Sequence, residues 1–210
     1  MIEDPLYPVN LRLTGKRCLV VGGGKVALQK VRGLLAAGAL VRVVAPDIDA
    51  ELAALPGVAI DRRRYVRGEV GDAAFVIAAT SDPRTNQAVF DDAESCGIWV
   101  NAADDPDRCT ATLPAVLRRG PVTVAVSTGG RSPAAASWIR DEIGVAIGPE
   151  HGALAELLAE VRAELRAQGV STEGLAWRDA LDSGMLELIR EGNLAEAKER
   201  LKACLSSSSA

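Results

Sequence analysis

The chain has 210 residues, of which 48% are hydrophobic, 25% charged and only 3% aromatic, with a formal net charge of −4. This is a globular composition, which excludes a disordered chain, a collagen-like repeat and a disulfide-dense miniprotein, and it sets up no overall attraction to nucleic acid or to an anionic membrane. At about 100–200 residues per domain the length suits one large domain or two small ones, built on an aliphatic core.

The first residues, Met1-Ile2-Glu3-Asp4-Pro5, lack the basic and apolar regions of a signal peptide. No apolar run nears the roughly 18 residues needed to cross a bilayer, so a cytoplasmic location is expected. Arg17–Val21 is an apolar run ending in glycines, read as a strand buried on both faces. Val26–Ala37 carries Val31, Leu34 and Leu35 at helical spacing and stops at Gly38. Leu40–Ala45 is β-branched and apolar. Asp49–Leu55 is a helix candidate, and Val58–Asp61 a further strand. Ala73–Ala79 and Ile98–Val100 are strands flanking a helix over Arg84–Ser95. Strands alternating with helices predict a parallel sheet covered on both faces.

The alternation breaks after about residue 105. Thr110–Leu117 and Val122–Val126 flank a turn-like Arg118-Arg119-Gly120-Pro121. Ser132-Pro133 opens a helix to about Ile143, which Gly144–Pro149 then interrupts. Leu154, Leu157, Leu158, Val161 and Leu165 mark one face of an amphipathic helix, and Asn193 with Glu196 forms a capping box for Leu194–Leu205. The serine-rich end is expected to fray. Cys18, Cys96, Cys109 and Cys204 contain no CxxC pair, and His151 is the single histidine, so no metal site is expected and the thiols are read as reduced.

Gly22-Gly23-Gly24-Lys25-Val26-Ala27 lies at the junction of the first strand and first helix and reads G-x-G-x-x-A. Gly22 makes the tight turn, Gly24 lets a pyrophosphate reach the backbone, and Ala27 lets the helix pack close to the sheet. The helix start offers N–H groups and partial positive charge to phosphates. Asp47 ends the second strand 25 residues after Gly22. It either accepts from both ribose hydroxyls, favouring NAD over NADP, or caps the next helix. Arg42 and Arg62–Arg64 either meet a phosphate, which would argue for NADP, or form a solvated face, the commoner role of such residues. Thr80 either touches the cofactor or belongs to a helix cap at Ser81 or Asp82.

Asn101-Ala102-Ala103-Asp104-Asp105-Pro106 follows the fifth strand, at the sheet edge that carries the glycine loop. Asp104 or Asp105 is placed there as a general base, with an Asp-Asp-Pro turn as the alternative. Ser127-Thr128-Gly129-Gly130-Arg131-Ser132-Pro133 is either an anion nest for a substrate carboxylate or a turn with a cap.

Taken together, Val20–Lys30, Ala78-Ala79-Thr80, Asn86-Gln87, Val100–Asp104 and Val124–Pro133 resemble the precorrin-2 dehydrogenase family, the N-terminal part of siroheme synthase, over about residues 1–150. The resemblance implies an α/β fold: a Rossmann-type NAD-binding domain (1–109), a small α+β dimerisation segment (110–148) and a C-terminal helical domain (149–210). It implies NAD-dependent oxidation of precorrin-2 to sirohydrochlorin by a homodimer, with ferrous or cobaltous ion as a further substrate in some members. The family aspartate falls on Asp104. Cofactor contacts fall on Gly22, Gly23, Gly24, Lys25, Val26, Pro46 and Asp47; beside the resemblance, Thr80 at its strand end is read as a cofactor contact, and Asn101, Ser127, Thr128 and Arg131 in the two loops as substrate contacts. A substrate with several carboxylates calls for arginines, and Arg108, Arg118, Arg119, Arg131 and Arg140 are candidates. Two other readings stand beside this one: a non-catalytic NAD-sensing module, and a chelatase or carrier of sirohydrochlorin without redox work.

Overall fold

The computed structural model describes residues 6–103 and 105–207. In chain order it contains β1 (Arg17–Val21), α1 (Lys25–Ala36), β2 (Leu40–Val44), α2 (Ala50–Ala53), β3 (Val58–Asp61), β4 (Phe75–Ala78), α3 (Pro83–Ser95), β5 (Trp99–Ala102), a 3₁₀ turn (Pro106–Arg108), β6 (Ala115–Arg119), β7 (Val122–Val126), α4 (Pro133–Ala146), α5 (Pro149–Ala167), α6 (Trp177–Leu181), α7 (Met185–Arg190) and α8 (Leu194–Ser207). The chain divides into two compact units. One runs to Leu113 and includes Gly129–Arg131; the other comprises Pro114–Thr128 and Ser132 onward.

The first unit is a five-stranded parallel sheet in the order β3-β2-β1-β4-β5. Alternate residues of its strands face opposite sides, and both sides are apolar. Cys18 and Val20 pack with Ala27, Leu28, Val31 and Leu34 of α1. Leu19 and Val21 pack with Val89 and Ala93 of α3. This is why the strands read as unbroken apolar runs. Burying a side chain such as Val31 completely contributes about 1.5–3 kcal/mol. Helix α1 stops where Gly38 turns left-handed at φ 73° and the N–H groups of Gly38 and Ala39 donate to Leu35 and Leu34. Helix α2 is shorter than the expected 49–55, because Pro56 disfavours helical geometry at Leu55. The order of strands reverses between β1 and β4, which opens a crevice at their carboxyl ends.

In the second unit β6 and β7 form a hairpin with Arg119 paired to Val122. The turn is therefore two residues, Gly120-Pro121, rather than the expected four, and Arg118 and Arg119 belong to the strand. Gly120 at φ 54° followed by proline fits a II′ turn. Helix α4 runs through Gly144, where a break was expected. The missing side chain there faces Leu117 of β6, and the helix ends instead at Ile147-Gly148, before Pro149 starts α5. A Cβ on Gly152 would come within 2.4 Å of the Arg119 carbonyl oxygen, so only glycine lets α5 pass the hairpin end. Leu154, Leu157 and Val161 of α5 form one core with Met185, Leu188, Leu201 and Leu205. The hairpin, α4 and the later helices cluster in one unit. Among the described residues no helix is long and apolar enough to cross a membrane.

Candidate cofactor and active site

The crevice at the carboxyl ends of β1, β2 and β4 is a cavity of about 870 Å³. Its lining includes Gly22, Gly23, Gly24, Lys25, Val26, Pro46, Asp47 and Thr80, so the eight expected cofactor residues come together at one place. The three glycines differ in what holds them. A Cβ on Gly22, which sits at φ 127°, would come within 2.2 Å of the Ala79 carbonyl oxygen, and one on Gly23 within 2.0 Å of that of Asp47. A Cβ on Gly24 would meet nothing within 4 Å. Gly22 and Gly23 are therefore required by the fold, whereas the space over Gly24 is open for a ligand. Gly24 is also the N-cap of α1 and supplies no side-chain cap. The first N–H groups of that helix lack partners within the helix, an arrangement suited to an anion. These features fit a dinucleotide diphosphate.

At the end of β2, Asp47 does not cap α2. Asp49 does, accepting from the Glu51 N–H at 2.8 Å. The exposed Asp47 is left to line the cavity. The hydroxyl of Thr80 bonds with Asn86 Oδ1 at 2.7 Å and accepts from the Asp82 N–H at 3.1 Å. Asp82 caps α3 through Arg84 N–H, and Thr85 donates to it at 2.6 Å. The Thr85 hydroxyl and then the Arg84 N–H hold its carboxyl below the usual range. Thr80 thus lines the cavity from the turn that leads to the Asp82 cap.

Two further residues line it: Arg64, one of the arginines read as a phosphate partner or a solvated face, and Tyr65, which the sequence did not single out. They follow β3, and only its parallel pairing with β2 carries them to this edge. The Tyr65 hydroxyl donates to Asp92 at 2.6 Å; burial first, and that carboxylate second, push its pKa up.

Beyond β5, Ala103 lines the cavity and donates its N–H to Ala78 O at 2.8 Å. Asp104, the expected catalytic residue, lies outside the described residues. Asp105, the alternative, is ion-paired with Arg108, whose Nε also donates to Gln87. Asn101 is buried, and its amide donates to Ala111 O at 3.0 Å and to Cys109 Sγ at 3.5 Å, which fastens the segment after the 3₁₀ turn to β5. It does not line the cavity. Cys109 Sγ accepts from the Ala102 N–H and shares its proton between the carbonyls of Ala102 and Asp105, each contact 3.3 Å long. Burial raises its pKa.

The expected anion nest is a closed turn. The Thr128 hydroxyl donates to Ser132 O and accepts from Ser132 N–H, both at 3.0 Å, and Ser132 Oγ caps α4 at Ala135. The Arg131 guanidinium lies against Gly129. Ser127, Thr128 and Arg131 are not among the described residues lining the cavity. Of the other arginines, Arg119 Nε donates to Ile147 O and Arg140 pairs with Asp141.

Residues 9–115 match the family described as "Putative NAD(P)-binding", and 119–145 match "Sirohaem biosynthesis protein central". The siroheme synthase of Nitrosomonas europaea is 37% identical over 207 residues, covering 96% of this chain and 44% of that protein. The siroheme synthase of Stutzerimonas stutzeri is 39% identical over 200 residues, covering 92% and 43%. The chain thus spans less than half the length of these curated relatives. A solved structure described as SirC, precorrin-2 dehydrogenase, is similar with a TM-score of 0.70 at 25% identity, covering 96% of this chain and all of that one.

Proposed function

Because this chain belongs to the NAD(P)-binding family of siroheme biosynthesis, we propose that it oxidises precorrin-2 to sirohydrochlorin with NAD. The observation that carries the reading is one cavity bounded by the open space over Gly24, the carboxylate of Asp47 and the residue preceding Asp104.

When bound, NAD supplies the hydride acceptor. The N–H groups at the start of α1, with Lys25 beside them, hold its diphosphate, and Asp47 accepts from the adenosine ribose hydroxyls. Asp104 would take the proton that the tetrapyrrole gives up in this two-electron oxidation. Asp104 is assigned this role because the family aspartate falls on it; the neighbouring Asp105 is engaged by Arg108. Thr80 shapes the cavity wall. Asn101 acts through the segment it fastens. Ser127, Thr128 and Arg131 remain proposed contacts of the substrate carboxylates.

The chain acts as a homodimer. Trp138 and Val145 of α4 are 64% and 87% exposed and stand seven residues apart, on one face of the helix. A second copy would cover such a face. None of the four cysteines is disulfide-bonded among the described residues, which suits a reducing cytoplasm.

Incubation with precorrin-2 and NAD, with and without ferrous or cobaltous ion, tests the reading. NADH absorbance and the sirohydrochlorin spectrum should rise together, and metallation is read separately in the same spectra. A chain that binds NAD but forms no NADH would instead be a sensing module, and metal insertion without NAD would make it a chelatase.

A further inference from the structure

Val44 of β2 pairs with Asp61 of β3 in parallel register. Both strands end at that pair, and three residues beyond it the chain reaches Asp47 after β2 and Arg64 after β3; both residues line the cavity. Of the other arginines around this turn, Arg62 does not line the cavity and the remaining three are engaged. Arg42 donates to Asp61 at 2.5 Å, Arg63 forks onto Glu69 at 2.5 and 2.6 Å, and Arg67 pairs with Asp91 at 3.1 Å. Arg64 is exposed, and no carboxylate among the described residues pairs with it.

The turn that carries Arg64 is firmly held. Tyr65 Oη and the Gly68 N–H both donate to Asp92 Oδ2, at 2.6 and 2.7 Å, and the Val66 N–H donates to Glu69 at 2.6 Å. A fixed turn therefore presents one unengaged guanidinium at the end of the cavity where Asp47 stands.

We infer that Arg64 is a specificity-determining residue that receives the 2′-phosphate of NADP, so that the site takes NADP as well as NAD. The inference rests on the reading of this cavity as a dinucleotide site. Asp47 alone would repel a 2′-phosphate. A guanidinium beside it offsets that repulsion and matches phosphate geometry with paired N–H donors. Arg64 has no comparable role toward NAD, which carries a hydroxyl at that position.

Calorimetric titration of the full chain with NAD and with NADP tests this, using the parent and the variants Arg64→Ala and Arg64→Lys. The parent should bind both. Arg64→Ala should weaken NADP binding about tenfold or more, the loss expected for one hydrogen bond to a charged group, and change NAD binding by less than about twofold. Arg64→Lys should restore part of the NADP affinity, and added salt should weaken NADP more than NAD. An equal loss for both coenzymes in Arg64→Ala, or a parent that binds NAD and not NADP, would overturn the inference and leave the dinucleotide site standing. A folded parent that binds neither would remove the dinucleotide reading and this inference with it.

Discussion

Gly23 and Asp47 touch through their backbones: the position of a Cβ on Gly23 lies 2.0 Å from the Asp47 carbonyl oxygen, while the Gly23 carbonyl accepts from the Asp49 N–H at 2.8 Å. The glycine loop and the turn that presents Asp47 are thus one piece. Gly23→Ala must push that turn away, and is expected to cost about 1–3 kcal/mol of stability together with most of the NAD affinity. Gly24→Ala meets no protein atom within 4 Å. It should leave the melting temperature nearly unchanged and still abolish NAD binding, because its methyl group occupies the diphosphate position. Thermal unfolding and NAD titration of the two variants separate a glycine the fold needs from one the ligand needs.

Asp47→Ala should weaken NAD binding and raise the affinity for NADP relative to NAD, since the carboxylate that repels a 2′-phosphate is removed. Asp49 caps α2, so this change removes no cap and the thermal stability should hold. Unchanged NAD affinity in a folded variant would place the ribose elsewhere.

Much of this site is legible in the residues because its physics is local. A strand running into glycines and then a helix makes a phosphate cradle wherever it occurs, and Gly22 to Val26 lie together in sequence as in space. What escapes is set by tertiary pairing. Arg64 follows a short, half-buried strand, and nothing in a run of arginines tells which is held by Asp61 and Glu69 and which lines the cavity. Asn101 sits at the expected sheet edge, but its burial and its bond to Ala111 depend on a segment ten residues later returning to β5. Gly144 looks like a helix stop and is instead tolerated inside α4 beside Leu117. The Thr128–Ser132 turn carries the residue types of an anion nest while its hydroxyls bond to its own backbone.

The Asp61–Glu69–Arg42–Arg63 cluster makes stability depend on acid. Hydrogen bonding by Arg42 lowers the pKa of Asp61, and hydrogen bonding by Arg63 lowers that of Glu69. A carboxyl with a depressed folded-state pKa stabilises the fold above its unfolded value, and that contribution is lost as pH falls through the lower folded value. The melting temperature should therefore fall as pH drops below the ordinary glutamate value of 4.5. Glu69→Gln should melt lower at pH 7 and show a shallower acid decline; a decline as steep as the parent's would locate the acid sensitivity elsewhere.

If α4 carries the dimer face, Trp138→Arg should shift the sedimentation profile from dimer to monomer while the far-ultraviolet circular dichroism stays unchanged. A side chain 64% exposed contributes little to the fold of its own chain, so an unfolded variant is not expected. An unaltered dimer would assign the interface to another surface.

Asp104→Ala should keep NAD affinity and lose sirohydrochlorin formation, and normal turnover would remove this residue from the mechanism. Cys109 offers a second test, because its sulfur accepts from the Ala102 N–H and donates toward the Asp105 carbonyl, on either side of position 104 in the chain. The thiol is held neutral by burial and acts here as a clasp, not a nucleophile. Cys109→Ala removes both contacts and leaves the cavity lining untouched. Loosening a reacting group by about 1 Å can cost roughly a hundredfold in rate, so kcat should drop by about ten- to a hundredfold while the NAD dissociation constant stays within about twofold. Cys109→Ser retains a donor and an acceptor and should recover part of the rate. A merely structural cysteine would lower the melting temperature in both variants without this split between kcat and NAD binding, and without rescue by serine.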